Sequence, residues 1–231
     1  LAKLKETELA EAVITWLEEQ YWDVYQEVQV LAYGGVADIV AVQNHLVWVI
    51  ECKTSLTWTV IEQAKNWRSH FRSIAVPTVF RKTHSGRHTA YYACRKLFKI
   101  GVLEIGRYHS NEWNVNEVVP APLMREYHHF AKHIRESLKP EHKTYARAGS
   151  RTGGHLTPYK ATINVVKRFI KNNPGCTLTE IMAEDGRWHY ASNKSARSSI
   201  RTALETFEAD WCRVDKSVRP WQYYVRKDKE T

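Results

Sequence analysis

Glu51 and Lys53 close an apolar run, residues 46–54, LVWVIECKT. In a strand alternate side chains share a face. Val47, Val49, Glu51 and Lys53 then line one side, and Leu46, Trp48, Ile50 and Cys52 the other. Both sides begin apolar, the pattern of a central strand covered on both faces. Charges at the end of such a strand are costly to bury unless they are paired or hold a metal ion. Asp38 lies in the preceding apolar stretch, GGVADIVAV, with twelve residues between it and Glu51. A hairpin around the short Asn44-His45 connection would bring the two carboxylates together. Two carboxylates at one point repel each other unless a cation lies between them. Oxygen-only ligands of this kind suit Mg²⁺ or Mn²⁺.

The elements that must position these residues are legible in outline. Residues 4–20 read as an amphipathic helix with Leu9, Val13, Trp16 and Leu17 on its apolar stripe. Residues 23–31 alternate like a strand, Tyr33-Gly34-Gly35 is a turn, and 36–43 and 46–54 are two further strands. A helix over 57–71, a strand over 73–80, a helix over 88–99 and a strand over 101–106 follow. Pro77 argues for an edge or a strand end. The order αβββαβαβ describes an α/β domain with a mixed sheet. Residues 112–119 add a strand and 123–138 a helix. Glu27 lies on the first strand, where a solvent-facing position is expected.

Asp38, twelve residues, then Glu-x-Lys on a central strand, after a helix–strand opening, resembles the PD-(D/E)XK (restriction-endonuclease-like) nucleases. The junction resolvases and RecB-type nucleases are the nearest comparisons, and the resemblance covers roughly residues 5–106. The family's usual proline before the first Asp is absent; Ala37 stands there. The resemblance implies a catalytic set of Asp38, Glu51 and Lys53. It extends to Glu8, which matches the first-helix glutamate of many members, with Glu11 as the substitute. It also extends to Gln63, which with Trp67 looks like a Q-x-x-x-Y element carrying Trp for Tyr. In this reading Asp38, Glu51 and the Cys52 backbone carbonyl hold the metal. Lys53 orients water or stabilises charge, Glu8 serves a second metal or its water shell, and Gln63 steadies the motif.

Glu-x-Lys is a short motif, and the chain contains a second copy, Glu141-His142-Lys143. Only the strand context and Asp38 distinguish the first. His129 and His133 are spaced i, i+4 but lack the intervening Glu of H-E-x-x-H, so a solvated helix face is expected. No Gly-rich phosphate loop is present: Ser85-Gly86 and Gly153-Gly154 have turn composition only. The four cysteines, without a C-x-x-C pair, read as buried free thiols.

The chain has 231 residues and a net charge of +9. The first 138 carry sixteen Lys/Arg against fifteen Asp/Glu, residues 139–158 four against one, and the rest fourteen against nine. The basic excess thus lies beyond the first domain, which favours a polyanionic partner there. Three segments are expected: a nuclease domain over 1–138, a flexible basic linker over 139–157, and a winged-helix-like α+β domain over 158–231. In the last, Thr157-Pro158 starts a helix, and Thr177-Leu178-Thr179-Glu180 has capping-box spacing. A third helix, 194–209, turns Ala196, Ile200, Ala203, Leu204 and Phe207 inward. Residues 211–214 and 221–226 form a hairpin. Lys194, Arg197, Ser198 and Arg201, with Lys216 and Arg219 at the hairpin tip, form the expected DNA-binding face. Linker residues Lys143, Arg147 and Arg151 would add phosphate contacts.

DNA is the expected partner, together with a second copy or a partner protein where both strands are cut. No apolar run reaches the length of a membrane span, and a cytoplasmic, or nucleoid-associated, setting is expected. Three functions fit this pattern: an active endonuclease, a non-catalytic DNA-binding protein, and a nuclease subunit that works only with a partner. The third resembles the nuclease subunit of some heteromeric transposases. The intact Asp38, Glu51 and Lys53 favour catalysis.

Overall fold

The computed structural model describes residues 4–30, 35–78, 85–107, 112–150, 156–184, 190 and 192–226. The chain forms two compact units, Leu1–Leu156 and Thr157–Thr231. Among the described residues no helix is long and apolar enough to cross a membrane. The turn expected at residues 33–34, the pair Gly153-Gly154 and Arg151 lie outside the described residues.

The first unit is built on a six-stranded mixed sheet in the order β1-β2-β3-β4-β5-β6. Helix α1 (Glu6–Glu18) precedes β1 (Asp23–Val30), β2 (Gly35–Gln43) and β3 (Leu46–Cys52). Helix α2 (Trp58–Asn66) leads to β4 (Phe71–Pro77). Helix α3 (Ser85–Tyr92) runs on as a π-helical turn, Ala93–Phe98, into β5 (Gly101–Arg107), with β6 (Trp113–Val119) last. The first three strands pair antiparallel, β3–β4–β5 are parallel, and β6 is antiparallel to β5. Parallel neighbours need crossover connections, and α2 and α3 supply them. Helix α4 (His128–Glu136) completes the unit after a 3₁₀ turn, Arg125–Tyr127. The element order therefore agrees with the expected mixed α/β class.

Burial on both faces explains the apolar strands. Leu9, Val13 and Leu17 of α1 pack with Ile39, Trp48, Ile50 and Cys52 on one side of the sheet. Val40, Val47 and Val49 pack with Trp67, Ala131 and Ile134 on the other, and Ile61 and Ala64 of α2 pack with Ile74 and Val102. Trp16 of α1 lies edge-on to Trp48, ring centroids 5.9 Å apart.

Helix α2 ends at Asn66, five residues short of the expected end. Trp67 turns to extended backbone, φ −70° and ψ 117°. Buried Arg72 then binds the freed carbonyls: its Nη1 donates to Lys65 O (2.6 Å) and Trp67 O (3.2 Å). Its Nη2 donates to Phe98 O (2.6 Å) and its Nε to Lys99 O (3.2 Å). One guanidinium thus caps the ends of two helices, where backbone carbonyls lack partners and the dipole is negative.

The segment expected to be a flexible linker belongs to the first unit as far as residue 156. Pro140–Lys143 forms a 3₁₀ turn, and His142, Ala148 and Gly149 are buried. Its polar composition misled because its fixings are hydrogen bonds to β1 and ion pairs, not apolar contacts. Gln26 Nε2 donates to Lys143 O (3.0 Å), and Ala148 N–H donates to Gln26 Oε1 (3.0 Å). Lys143 pairs with Asp23, and Arg147 with Glu11 at 3.1 Å.

The second unit runs α5 (Pro158–Asn172), β7 (Cys176–Thr177), α6 (Leu178–Ala183), α7 (Asn193–Glu205), β8 (Cys212–Asp215) and β9 (Gln222–Val225). Its small sheet has the order β7-β9-β8, all antiparallel. Thr157 caps α5 through Lys160 N–H (3.1 Å), and Thr177 and Glu180 form the expected capping box. Val166, Ile170, Ile181, Ile200, Leu204 and Tyr223 make its core. Phe207, expected inside, is 76% exposed. Helix α7 ends at Glu205, so Phe207 no longer follows the helical stripe. Strand β7, two residues long, was too short to carry a pattern. All four cysteines are buried and free.

Candidate active site

The carboxylates meet where a ladder ends. Strands β2 and β3 pair from Gln43–Leu46 to Ile39–Ile50, and the next residues in register are Asp38 and Glu51. Directly opposed like charges are destabilising in a sheet, and the backbone pairing stops there. Cys52 N–H donates instead to the Asp38 side chain, at 2.8 Å from Oδ2. The same oxygen accepts from Lys53 Nζ at 2.9 Å. Lys53 Nζ also lies 3.9 Å from Glu51 Oε2 and 3.7 Å from Glu6 Oε2.

Glu51 is 5% exposed and its Oε1 accepts from Trp67 Nε1 at 2.6 Å. Burial, then the nearby Asp38 charge, push its carboxyl well above the usual range; the Trp67 bond and Lys53 oppose this only in part. Burial pulls the Lys53 ammonium down, but Asp38, Glu51 and Glu6 outweigh it and hold it above its ordinary range. Lys53 is therefore a firm cation at neutral pH. Burial, with Asp38 and Glu51, pushes the Cys52 thiol up. It stays protonated, so the Cys52 carbonyl, not its sulfur, is the group with ligand chemistry.

Glu27 belongs to this row, against expectation. It stands opposite Asp38, between the pairs Gln26–Ile39 and Val28–Ala37, and is 7% exposed. Its φ is +48°, in the left-handed region. Val24 packs in the α1 layer, whereas Val28 and Val30 pack in the opposite one. The strand turns over at Glu27, so simple alternation placed its side chain wrongly. Gly149 N–H donates to Glu27 Oε1 at 2.9 Å. Burial, then Asp38, raise the Glu27 carboxyl to about 7, against the opposing pull of Gly149, Lys53 and Ser150. Gly149 has φ +74°, and a Cβ there would lie 2.7 Å from the Glu6 carbonyl carbon. Only glycine fits between Glu6 and Glu27.

Two residues implied by the resemblance sit elsewhere. Glu8 Oε2 accepts from Lys5 N–H (2.9 Å) and closes the start of α1, while its Oε1 lies 3.8 Å from Arg107 Nη2. The structure brings Glu6, one half-turn earlier, to Lys53, and Glu11 is engaged by Arg147. Gln63 is exposed on α2. The steadying contact expected of it comes from Trp67, at the aromatic end of the same element. The apolar stripe Leu9, Val13 and Leu17 was the signal that could have found Glu6: at 100° per residue, residue 6 falls on that buried face and residue 8 does not.

A cavity of about 460 Å³ adjoins Lys53, lined by Lys5, Glu6, Thr7, Thr54, Gly149 and Ser150. Among the described residues no three His, Cys, Asp or Glu side chains form a ready ligand cage for a metal. The donor set nevertheless fits Mg²⁺ or Mn²⁺ in its chemistry. Asp38, Glu51 and Glu6 surround one ammonium and Glu27 stands opposite Asp38, and burial, then the Asp38 charge, pushes the Glu51 and Glu27 carboxyls up. Such a surplus of oxygen donors is what a hard divalent cation takes. The other candidate pair, His129 and His133, is exposed on α4 with Nε2 atoms 3.2 Å apart.

In the second unit Lys194, Ser198, Arg201, Lys216 and Arg219 are exposed and Arg197 is half-buried. Arg197 Nη2 donates to Thr179 Oγ1 at 3.0 Å, and Lys216 Nζ pairs with Glu205 at 2.7 Å. Lys143 and Arg147, expected to be free for phosphate, are held by Asp23 and Glu11. No family model, no curated protein and no solved structure matches the chain.

Proposed function

We propose that the chain is a metal-dependent DNA endonuclease of the PD-(D/E)XK kind, with a winged-helix DNA-binding module at residues 157–231. The observation that carries the reading is the in-register Asp38–Glu51 pair at the end of the β2–β3 ladder, with Lys53 Nζ 2.9 Å from Asp38. Residue types alone recur by chance; this placement on a doubly covered strand does not follow from composition.

Asp38, Glu51 and the Cys52 carbonyl would hold the metal, with Glu27 and Glu6 as further carboxylates. When bound, Mg²⁺ or Mn²⁺ supplies Lewis acidity at the phosphate and a lowered pKa for attacking water. Lys53, whose ammonium lies beside Asp38, would stabilise negative charge developing on the phosphate. Trp67 fixes Glu51 through its indole N–H, and Gly149 fixes Glu27 through its backbone N–H. Lys5, Thr54 and Ser150, around the adjoining cavity, offer donors to the DNA backbone.

The second unit supports a winged-helix reading by its order, helix–strand–helix–helix–strand–strand, with β7 joining the β8–β9 hairpin. Helix α7 would meet the major groove and the β8–β9 connection would be the wing. The test is a panel of labelled duplex, nicked, branched and single-stranded DNAs incubated with the full chain in Mg²⁺, Mn²⁺ or EDTA. Cleavage of at least one substrate with metal and none in EDTA is expected. Cleavage of equal extent in EDTA would overturn the reading. No cleavage by the chain alone, with cleavage restored by a partner protein, would leave a partner-dependent subunit in its place.

A further inference from the structure

In the second unit three guanidiniums converge, and among the described residues no carboxylate forms an ion pair with any of them. Arg197 and Arg201, one turn apart on α7, share a helix face. Both line a concavity of about 190 Å³ with Arg219, Thr179 and Trp221. The Arg201 and Arg219 guanidinium carbons lie 5.7 Å and 6.0 Å from the Trp221 ring centroid. Arg197 reaches the same concavity through Thr179.

Acidic groups on the surrounding elements have other partners, and Lys216, the partner of Glu205, lies 4.8 Å from the Trp221 ring centroid. Glu180 of α6 accepts from Thr177 N–H at 2.6 Å and from its hydroxyl at 2.8 Å. Glu205 of α7 holds Lys216 Nζ at 2.7 Å. Asp215 of β8 accepts from Ser217 N–H (2.9 Å) and Oγ (2.6 Å). Among the described residues none of the three arginines pairs with a carboxylate. Three like charges at one small concavity repel one another unless an anion joins them. The volume is below the roughly 300–1,000 Å³ of pockets that enclose a whole organic ligand. It suits a charged group, not a molecule.

We infer that this concavity binds a phosphate monoester, the form phosphate takes at the end of a nucleic-acid strand. A guanidinium presents a planar fork of donors that matches phosphate oxygens. A monoester carries about −1.5 to −2 near pH 7, whereas an internal diester carries about −1. Three guanidiniums therefore favour the end of a strand over its interior. The Trp221 indole gives the site an apolar wall that strengthens each charge-assisted bond. The strand end as the source of the phosphate rests on the reading of this unit as a DNA-binding module; the anion site rests on the arginines alone.

The test uses the full chain in EDTA at fixed ionic strength. Oligonucleotides ending in a 5′-phosphate, a 3′-phosphate or hydroxyls only are titrated against wild type and Arg219→Gln. At least one phosphorylated end should bind about tenfold tighter than the hydroxyl form, the size of one charge-assisted contact. Arg219→Gln should remove that difference, so that phosphorylated and hydroxyl ends bind the variant alike, whatever common loss of affinity the missing charge brings. Arg219 is exposed, so the substitution leaves the core intact. Equal affinity for all ends, or a difference that survives both Arg219→Gln and Arg201→Gln, overturns the proposal. If no oligonucleotide binds, the DNA-binding reading fails, and calorimetry with inorganic phosphate decides the pocket. Phosphate heat in wild type that is lost in Arg219→Gln supports it; no heat in wild type overturns it.

Discussion

The two Glu-x-Lys copies in this chain share residue types and differ in almost everything physical. Glu51-Cys52-Lys53 lies at the end of a buried strand, where alternate side chains point the same way. Lys53 there faces Asp38, Glu51 and Glu6 at once. Glu141-His142-Lys143 lies in a 3₁₀ turn of three residues per turn, where positions i and i+2 diverge. Its middle residue, His142, is the buried one, accepting from Lys139 N–H at 3.0 Å, and exposed Lys143 pairs with Asp23 and lies 5.2 Å from the Tyr25 ring centroid. The first copy concentrates charge in a low-dielectric place; the second spreads it on a surface. Backbone geometry, not spelling, separates a buried cluster of charges from a surface clip.

The largest effect that would break this comparison comes from exchanging the lysines for alanine. Lys53→Ala should lower single-turnover cleavage by about 10²–10³-fold or more, the scale of losing one charge-stabilising donor. Lys143→Ala should leave the rate within about twofold, because an exposed pair contributes little. Equal losses in the two variants would mean the strand context carries no chemistry.

The next largest comes from the contact between the two regions. Gly149 follows the second copy in sequence and binds the first copy's neighbour, Glu27. Gly149→Ala forces a Cβ against Glu6 backbone at a positive φ. It should destabilise the protein by about 1–3 kcal/mol, as overpacked sites do, and reduce cleavage. Urea unfolding and single-turnover rates together would show both effects. An unchanged rate in a folded variant would remove the 139–150 segment from the active site.

A smaller effect is the pH response of the metal-free protein. A carboxyl raised on folding favours the folded state fully below its unfolded pKa, and this advantage is lost as pH rises through the folded value. Glu27 rises from 4.5 to about 7, and Glu51 shifts the same way. Stability in EDTA should therefore fall between about pH 5 and pH 7, and Glu27→Gln should flatten that fall. Mn²⁺ should restore stability most at the upper end. A flat stability profile for wild type in EDTA would show that burial and the Asp38 charge do not raise these carboxyls in the folded protein. The smallest effect is Gln63→Ala, within about threefold on the rate, beside a larger loss for Trp67→Phe, which removes the 2.6 Å bond to Glu51.

The sequence made the first copy legible because hydrophobic runs and strand parity are local properties. The order of elements through β5 followed from the same signals. What escaped it depended on non-local geometry. Glu27 reads as solvent-facing until the strand turns over at its own positive φ. Glu6 shares the face of Leu9, Val13 and Leu17 and Glu8 does not, a distinction that matters only once α1 is seen to lay that face on the sheet beside Lys53. The linker reading failed over 139–150 because a side-chain amide and ion pairs, invisible to hydropathy, fasten that part to β1 and α1. Arg72, which holds the ends of two helices, carried no motif at all.

The most direct test of the central claim is single-turnover cleavage of a DNA found to be a substrate, by wild type and Asp38→Asn, across a Mn²⁺ titration. The wild-type rate should saturate with Mn²⁺ and vanish in EDTA, and a folded Asp38→Asn should not cleave at any Mn²⁺ concentration. A folded Asp38→Asn that cleaves at the wild-type rate would contradict that claim.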